Sequence, residues 1–410
     1  MTIEKSIHNL LRYNPTIRSS LVYLYQLFFY LAKGDDLIPD GMKFIPDSFF
    51  GFHDKCPWNT NDSFLLAHKL HPRYKNTRTT SLPISIGYYH KDYNNYVRIG
   101  SSTAWNWQQG STLQWIGSGP LLSFHKIKQN QVVSEWLDIE TNERRTIPRE
   151  CAATSPCGEL YCSYDFKRFG IGARGYGYID INNKSKDFLP IDPKSTLSIR
   201  RTNDDSIISD IYLQDAIDLT EGLAPGYYFF SHALFSPDSR KLAFFLRIKT
   251  KNNALLTNLF IFDICDNNLS LKNTEDCSHL SWLNNDQLLA YCINPSSRSE
   301  GYHIIHFQDP KLTPVFHNLS LNDGHPYCCP STDKLITDTY PDKYRQQRLF
   351  ACNLKTNSLK EIARIKIPMK YRLDYRCDFH PRLNRSCNKI CIDTIFRKRR
   401  GMMIIPVSWP

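Results

Sequence analysis

The sequence lacks most of the signatures that identify common enzyme classes. Glycine is scarce, with 18 among 410 residues. Neither the glycine-rich loop of P-loop enzymes nor the G-x-S-x-G turn of α/β-hydrolases is present. The glycines of segment 168–178 have no strand-turn-helix context, so they do not form a dinucleotide fingerprint. These absences argue against P-loop, Rossmann and serine-hydrolase chemistry, and we interpret segment 168–178 as a loop over one face of the fold.

Long apolar runs are also missing. The most apolar stretch, residues 19–32, is too short to span a bilayer, and no small-residue cleavage site of a signal peptide follows it. We expect a helix that either packs on the rest of the protein or lies at the inner membrane surface. The sequence therefore predicts a cytoplasmic protein, with peripheral membrane contact through residues 19–32 as an open alternative.

The 13 cysteines form no Cys-x-x-Cys pair, and their odd number fits no regular disulfide framework. Several lie inside apolar runs, which is typical of reduced, buried thiols in a reducing compartment. The spacings at Cys328-Cys329 and at Cys387 and Cys391 resemble metal ligands, but packing is the better interpretation.

Four histidines recur at about 50-residue intervals, and each precedes a short apolar run by about ten residues. They are His232, His279, His325 and His380. A repeat of this length is typical of β-propeller blades, in which equivalent positions face one central channel. The four imidazoles should therefore converge, with Thr103 and Cys151 in the corresponding places of the second and third blades.

A turn followed by a β-rich run recurs seven times, and the clearest copy is the Ser-Pro-Asp-Ser turn at 236–239 before the run 241–245. The other copies begin near residues 57, 105, 155, 282, 330 and 384. We predict an all-β, seven-bladed β-propeller over residues 45–410, preceded by a short helical or interfacial segment over residues 1–44. The long interval between the third and fourth copies predicts an insertion at 170–226.

The net charge is +11, and the basic run 397–400 is its densest part. A solvated hairpin tip and attraction to a polyanion are both open interpretations of that run. No nucleic-acid recognition motif accompanies the charge, so we expect no nucleic-acid partner. An acidic glycan fits better, because sugar rings stack on the abundant aromatic side chains.

Several segments resemble bacterial propeller proteins found among surface-polysaccharide genes and related to oligogalacturonate lyase-type, TolB-like propellers. The resemblance covers residues 48–395 and is carried by these segments: 49–59 (FFGFHDKCPWN), 104–110 (AWNWQQG), 176–178 (YGY), 278–279 (SH), 323–326 (DGHP), 337–342 (TDTYPD) and 376–382 (RCDFHPR). It implies a propeller fold, a cytoplasmic location and a histidine-rich site for a divalent metal, manganese or similar. The family's reaction is poorly defined, so the resemblance implies little about activity.

Histidines His279, His325 and His380 are the predicted metal ligands, because neutral imidazoles that converge beside Asp323 and Asp378 would hold a divalent ion. The alternative is that these histidines only cap strand ends. The predicted catalytic residues are listed here: His232, Tyr340, Arg376 and Arg382. Tyrosine can exchange protons when cations lower its pKa, and arginine binds carboxylates in a bidentate manner, although salt bridges between blades are an equally open role.

The predicted substrate-binding residues combine aromatic, amide and guanidinium groups: Trp105, Trp107, Gln108, Gln109 and Arg345. Indoles stack on sugars, and the amides would bind sugar hydroxyls. Core packing of the indoles and hydrogen bonding of the amides to backbone groups are the alternatives.

Two functions follow from these observations. The first is metal-assisted β-elimination of a uronate-containing polysaccharide or oligosaccharide. The second is glycan binding or glycosyl transfer during capsule or O-antigen biosynthesis at the cytoplasmic face of the inner membrane.

Overall fold

The computed structural model describes residues 15–31, 35–72, 74, 82–173, 175–178, 189–220, 224–272, 274–309, 311–316, 319, 321–330 and 332–410. These residues form seven four-stranded antiparallel sheets, which confirms the seven-bladed propeller. Six of the seven predicted turns join the two inner strands of one blade; in blade four, for example, the turn 236–239 lies between two ten-residue strands. The copy near residue 105 does not, because residues 105–110 precede the first strand of blade two, whose inner turn lies at 116–120.

The first four blades follow the order of the chain. Blade one contains β2 (Ser48–Phe49), β3 (Phe64–Lys69), β4 (Ile84–His90) and β5 (Tyr96–Ser102). Blade two contains β6 (Gln114–Trp115), β7 (Leu121–Lys128), β8 (Gln131–Asp138) and β9 (Arg144–Ile147). Blade three contains β10 (Ala153–Thr154), β11 (Leu160–Tyr164), β12 (Thr196–Arg201) and β13 (Ile207–Tyr212). Blade four contains β14 (Gly226–Phe235), β15 (Lys241–Thr250), β16 (Leu255–Asp263) and β17 (Asn268–Leu271).

The last three blades include the closure of the ring. Blade five contains β18 (Glu275–Asn284), β19 (Gln287–Ile293), β20 (Glu300–His306) and β21 (Leu312–Val315). Blade six contains β22 (Tyr327–Cys328), β23 (Lys334–Asp338), β24 (Gln346–Asn353) and β25 (Ser358–Lys366). Blade seven contains β26 (Arg382–Leu383), β27 (Lys389–Phe396), β28 (Arg399–Pro406) and β1 (Lys43–Pro46), which pairs with β28. Because the first strand is the outer strand of the last blade, it closes the ring and covers a sheet edge.

The predicted insertion at 170–226 is wrong for residues 196–212. They form β12 and β13, which are the outer strands of blade three. The glycine-rich segment 168–178 is a loop only in part. Residues 168–172 belong to the helix α2 (Phe166–Gly172), whereas residues 173 and 175–178 are neither helix nor strand, and Tyr176 and Tyr178 are buried. A short helix, α3 (Leu213–Asp218), follows β13. A 3-10 turn at Leu373–Tyr375 lies in the link between blades six and seven.

The predicted N-terminal helix is α1 (Pro15–Tyr30), and it packs on blade six. Gln26 donates hydrogen bonds to the carbonyls of Pro341 and Asp342 at 3.1 and 3.0 Å, and Phe29 packs edge-on against Tyr344. Residue 32, at the end of the predicted interfacial segment, lies outside the described residues. The strand β1 begins at Lys43, two residues before the predicted start of the propeller.

The prediction that all cysteines are reduced is wrong for two of them. Cys329 and Cys387 form a disulfide between the inner turns of blades six and seven, with Cα atoms 6.1 Å apart. The remaining eleven thiols are free, and nine of these are buried. Residues 58 positions apart become neighbours because adjacent blades place equivalent turns side by side. Disulfides are rare in reducing compartments, so this bridge removes part of the basis for the cytoplasmic prediction.

Blade one has an interrupted inner strand. After β2 the chain leaves the sheet and rejoins it at Trp58, which bridges to Leu65. The intervening residues 50–56, here called the channel segment, pass through the centre of the ring. The carboxylate of Asp393 accepts hydrogen bonds from the amides of Phe50 and Gly51 at 3.0 and 2.8 Å. Arg382 donates to the Gly51 carbonyl at 2.6 Å and pairs with Asp393 at 3.2 Å.

Gly51 has a φ of +119°, and a Cβ placed there would lie 2.7 Å from the backbone of Gln109. We therefore expect Gly51→Ala to lower the free energy of unfolding by about 2–4 kcal/mol, from backbone strain together with the steric overlap. Gly119→Ala is the matched control, because no atom lies within 4 Å of its Cβ position. Chemical denaturation measures both, and equal stability of the two variants would contradict the close approach.

Candidate functional site

Five imidazoles meet at one end of the channel, and we call them the histidine cluster: His53, His232, His279, His325 and His380. The ring of Phe52 lies among them, with centroid distances of 4.9 Å to His232 and 5.0 Å to His380. The imidazoles of His279 and His325 are 4.3 Å apart, and those of His325 and His380 are 4.4 Å apart. The predicted convergence of the four repeated histidines therefore occurs.

The repeat explains this convergence. His325 and His380 each lie two residues before an inner strand, and Cys151 occupies the same place before β10, as predicted. In blade two the corresponding residue is Thr112 rather than the predicted Thr103, because β6 starts only at Gln114. Inner strands surround the channel, so equivalent residues before them face its axis.

Sequence reasoning missed His53, which reaches the cluster from the channel segment. Its Nδ1 lies 3.0 Å from the carbonyl of Pro326, and its ring centroid is 5.3 Å from that of His325. The signal was present, since His53 follows Phe52 shortly before the first blade's turn. Its offset from the following strand differs from that of the other four histidines because the channel segment leaves the sheet.

Carboxylates orient two of the imidazoles. Asp338 lies 2.9 Å from Nδ1 of His325 and accepts from the backbone amides of His325 and His380. Asp323 lies 3.1 Å from Nδ1 of His279. A carboxylate on one ring nitrogen directs the other nitrogen toward a ligand and fixes the tautomer.

The same carboxylates give the imidazoles different proton affinities. Burial would lower the pKa of His325, but the charge of Asp338 and the hydrogen bond to it outweigh burial, so that pKa is raised. Burial lowers the pKa of His279 despite the opposing charge of Asp323. The pKa values of His232 and His380 are also lowered, chiefly by burial. Burial therefore favours the neutral form of His232, His279 and His380, the form that binds metals and accepts protons, whereas Asp338 favours the protonated form of His325.

Three groups lie close enough to share one metal ion. Ligand atoms of His325, Asp378 and His380 all lie within 4.8 Å of one another, and all three residues are buried. The Nε2 atoms of His325 and His380 have no hydrogen-bond partner among the described residues. Two nitrogens and one carboxylate oxygen suit a divalent first-row ion such as manganese. These residues therefore fit a divalent metal. The group contains two of the three predicted ligands, His325 and His380, together with Asp378, and it does not include His279.

Of the predicted catalytic arginines, Arg376 lies at this site and Arg382 does not. Arg376 donates to Asp378 at 2.6 Å and to the Tyr176 hydroxyl at 3.2 Å. The charge of Asp378 outweighs burial and raises the pKa of Arg376. Arg382 is fully buried and contacts Gly51 and Asp393, so its role is to hold the channel segment in place. Tyr340 is partly exposed, and its ring lies 5.4 Å from that of His325.

The predicted substrate-binding residues lie mostly in structural positions. Trp105 and Trp107 are buried and pack on each other at 4.9 Å, which fits the packing alternative. Arg345 is buried and binds the Gln26 side chain and the Tyr371 carbonyl, so it helps to hold helix α1. Gln108 and Gln109 are also buried, and the Oε1 atom of each has no partner among the described residues.

Arg247 is a second residue that sequence reasoning missed. It lies in β15 with 7% of its surface exposed. Among the described residues it donates one hydrogen bond, a long contact of 3.4 Å to the Ser278 carbonyl, and its buried Nε has no partner there. Because Ser278 precedes His279, this contact places Arg247 beside the cluster, where its charge adds to burial in lowering the pKa of His232 and His279. A single charged residue within the apolar run 242–248 was the signal for it.

No known sequence family matches the chain, and no curated protein matches it in sequence. Similar folds are found among solved structures. A manganese complex of oligogalacturonate lyase is 11% identical, with a TM-score of 0.61, and the alignment covers 92% of this chain and 99% of the lyase. Oligogalacturonate lyase from Vibrio parahaemolyticus is also 11% identical, with a TM-score of 0.57 and the same coverage.

A propeller with a different role is similar as well. The β-propeller domain of the Trilobed protease from Pyrococcus furiosus is 10% identical, with a TM-score of 0.52, and the alignment covers 90% of this chain and 94% of that domain. At such identities the similarity establishes the propeller fold that this chain shares with oligogalacturonate lyases, and function has to be argued from the site.

Proposed function

We propose that this protein is a lyase-like propeller that cleaves an acidic, uronate-containing glycan at the histidine cluster. The observation that carries the proposal is Arg247, a buried guanidinium beside His279 for which no described carboxylate is an ion-pair partner. Leaving a buried charge uncompensated costs several kcal/mol, so a substrate carboxylate is a fitting counter-ion. Guanidinium groups bind carboxylates in a bidentate manner.

The neighbouring groups supply what β-elimination of a uronate needs. His279 is kept neutral by burial and oriented by Asp323, so it is our candidate base. It would take the proton from C5, the electron pair of that C–H bond would form the C4–C5 double bond, and the C4–O bond would break. Tyr340, exposed at the mouth of the site, is our candidate acid for protonating the departing oxygen.

A divalent ion held by His325, Asp378 and His380 would act as a Lewis acid that withdraws charge from the substrate carboxylate. The chain's own contribution is orientation. The Asp338 carboxylate binds Nδ1 of His325, which leaves Nε2 for the ion, and it accepts a hydrogen bond from the backbone amide of His380. Arg376 holds Asp378 and keeps further donors for the substrate.

For activity, we expect Arg247→Ala to lower kcat/KM on oligogalacturonate with manganese at least about 100-fold, because it removes a preorganised charged donor. Formation of the unsaturated product is followed by ultraviolet absorbance. The control is Arg298→Ala, whose side chain is 66% exposed and paired with Glu275. Equal activity of the Arg247→Ala and Arg298→Ala variants would contradict the role of Arg247.

For the metal, we expect His380→Ala to abolish tight manganese binding and Asp338→Asn to weaken it about 10–100-fold, the usual effect of losing an orienting partner. Calorimetric titration of the metal-free protein measures both. His90→Ala, an exposed histidine on β4, is the control. If the Asp338→Asn and His380→Ala variants bind manganese as the wild type does, His325, Asp378 and His380 are not the metal site.

A second candidate role, glycan binding at a membrane, is favoured by one specific feature. Helix α1 turns an apolar face outward, and its exposed side chains include Phe28, 80% exposed, and Leu24, 61% exposed. Ile17, Leu21 and Leu31 continue the same stripe at helical spacing. Within the described ranges, no helix combines the length and apolarity needed to cross a membrane.

The surroundings of α1 carry positive charge. Lys366 donates to the Tyr30 carbonyl at 2.6 Å, Arg372 lies 4.0 Å from the Tyr23 ring centroid, and Lys343 lies 5.1 Å from that of Phe29. An apolar stripe beside cations suits insertion into the headgroup region of an anionic membrane. We therefore propose that α1 contacts an anionic lipid surface.

We expect the Leu24→Glu/Phe28→Glu variant to lose most co-sedimentation with phosphatidylglycerol vesicles, because two charges would enter the apolar layer. Ile207→Glu/Leu219→Glu, at exposed apolar positions of blade three and α3, is the control with the same charge change. Wild-type protein that stays in the supernatant would contradict the membrane contact. So would a dimer in solution that Leu24→Glu/Phe28→Glu converts to a monomer, because that result assigns the stripe to a second copy.

A further inference from the structure

A basic cavity lies beside the candidate site, between the turn that joins β27 to β28, the loop after β3 and the link between blades six and seven. We call it the hairpin cavity, and its volume is about 280 Å³. It is lined by four cationic side chains: Lys370, Lys398, Arg399 and Arg400. Among the described residues that line it, Asp47 is the only carboxylate, and it is paired with Arg399. The cavity therefore has a surplus of positive charge, which attracts anions.

Arg400 is a buried cation that neighbouring backbone groups hold in place at this cavity. Only 5% of it is exposed, and its guanidinium lies 4.3 Å from the Trp107 ring centroid. It donates to the carbonyls of Tyr375 and Arg376 at 2.8 and 2.9 Å. Its buried Nε has no hydrogen-bond partner among the described residues. A cation fixed in this way is preorganised for an anionic ligand, in contrast to the exposed lysines at the rim.

The hairpin cavity lies next to the candidate site. Tyr371 lines it and also lines a second cavity, whose other lining residues include Gln26 of helix α1, Tyr340, Arg376 and Asp378. The Arg376 carbonyl is held by Arg400, while the Arg376 side chain binds Asp378. A chain-like ligand at the histidine cluster could therefore extend past Tyr371 toward the lysines.

We propose that the hairpin cavity is a second subsite, which binds the carboxylate of a sugar further along the same acidic glycan. This inference rests on the proposed function for its substrate class. Lys370 and Lys398 would bind the carboxylate at the rim, above the buried guanidinium of Arg400. The basic run 397–400, which the sequence left between a hairpin tip and a polyanion site, then recognises a polyanion. The protein should consequently bind long oligouronates more tightly than short ones.

The test compares the affinities of digalacturonate and a longer oligogalacturonate, measured by calorimetry without added metal so that binding is separated from turnover. We expect Lys370→Ala/Lys398→Ala to weaken binding of the longer ligand about tenfold and to leave that of digalacturonate unchanged, because two ion contacts are lost at the distant subsite. Lys311→Ala/Lys355→Ala removes the same charge from exposed turns at the opposite ends of the strands and is the control.

The outcomes separate this inference from the lyase proposal. If the cavity variant keeps the wild-type preference for the longer ligand, or if the wild type has no such preference, the subsite is overturned whatever the activity. Equal binding of a neutral oligosaccharide of the same length would also overturn it. Loss of length-dependent binding in the cavity variant supports the subsite even where no cleavage is seen. Absence of cleavage by the wild type, or unchanged activity of the Arg247→Ala variant, overturns only the lyase mechanism.

Discussion

The buried ion pair between Arg382 and Asp393 is the interaction on which the site depends. A buried ion pair is stabilised by further hydrogen bonds to its charged groups. Here the backbone of Phe50 and Gly51 bonds to both partners, although Arg382 Nε has no partner among the described residues, and these bonds hold the channel segment inside the ring. That segment places Phe52 among the imidazoles and adds His53 to them. Without it, the repeated histidines would surround an open channel.

The histidine cluster combines similar groups with different roles because each has a different neighbour. His325 has a carboxylate on one side and a raised pKa, while His380 is buried beside it with a lowered one. Arg247 contributes a charge with no described counter-ion, and Arg376 contributes one that is already paired with Asp378. A site built from free and paired charges, with unpartnered imidazole nitrogens, is suited to an anionic ligand and a cation together.

Positive charge continues outward from this centre. The hairpin cavity and the surroundings of helix α1 both lie beside the link between blades six and seven, and Tyr371 borders both cavities there. Several cations therefore lie where a long acidic glycan, and an anionic membrane next to it, could be bound together. The apolar stripe of α1 lies on the same side of blade six, so a glycan attached to lipid would reach the site over a short path.

The seven blades, the short N-terminal helix and the convergence of His232, His279, His325 and His380 could be predicted from the sequence, because strand periodicity and blade length are local properties of the chain. The contacts between blades could not. Folding brought His53 and Arg247 to the cluster, placed Arg382, Arg345 and the two indoles in structural contacts, and joined Cys329 to Cys387. Closing the ring through β1 and threading residues 50–56 through its centre create contacts between residues hundreds of positions apart, which no local pattern records.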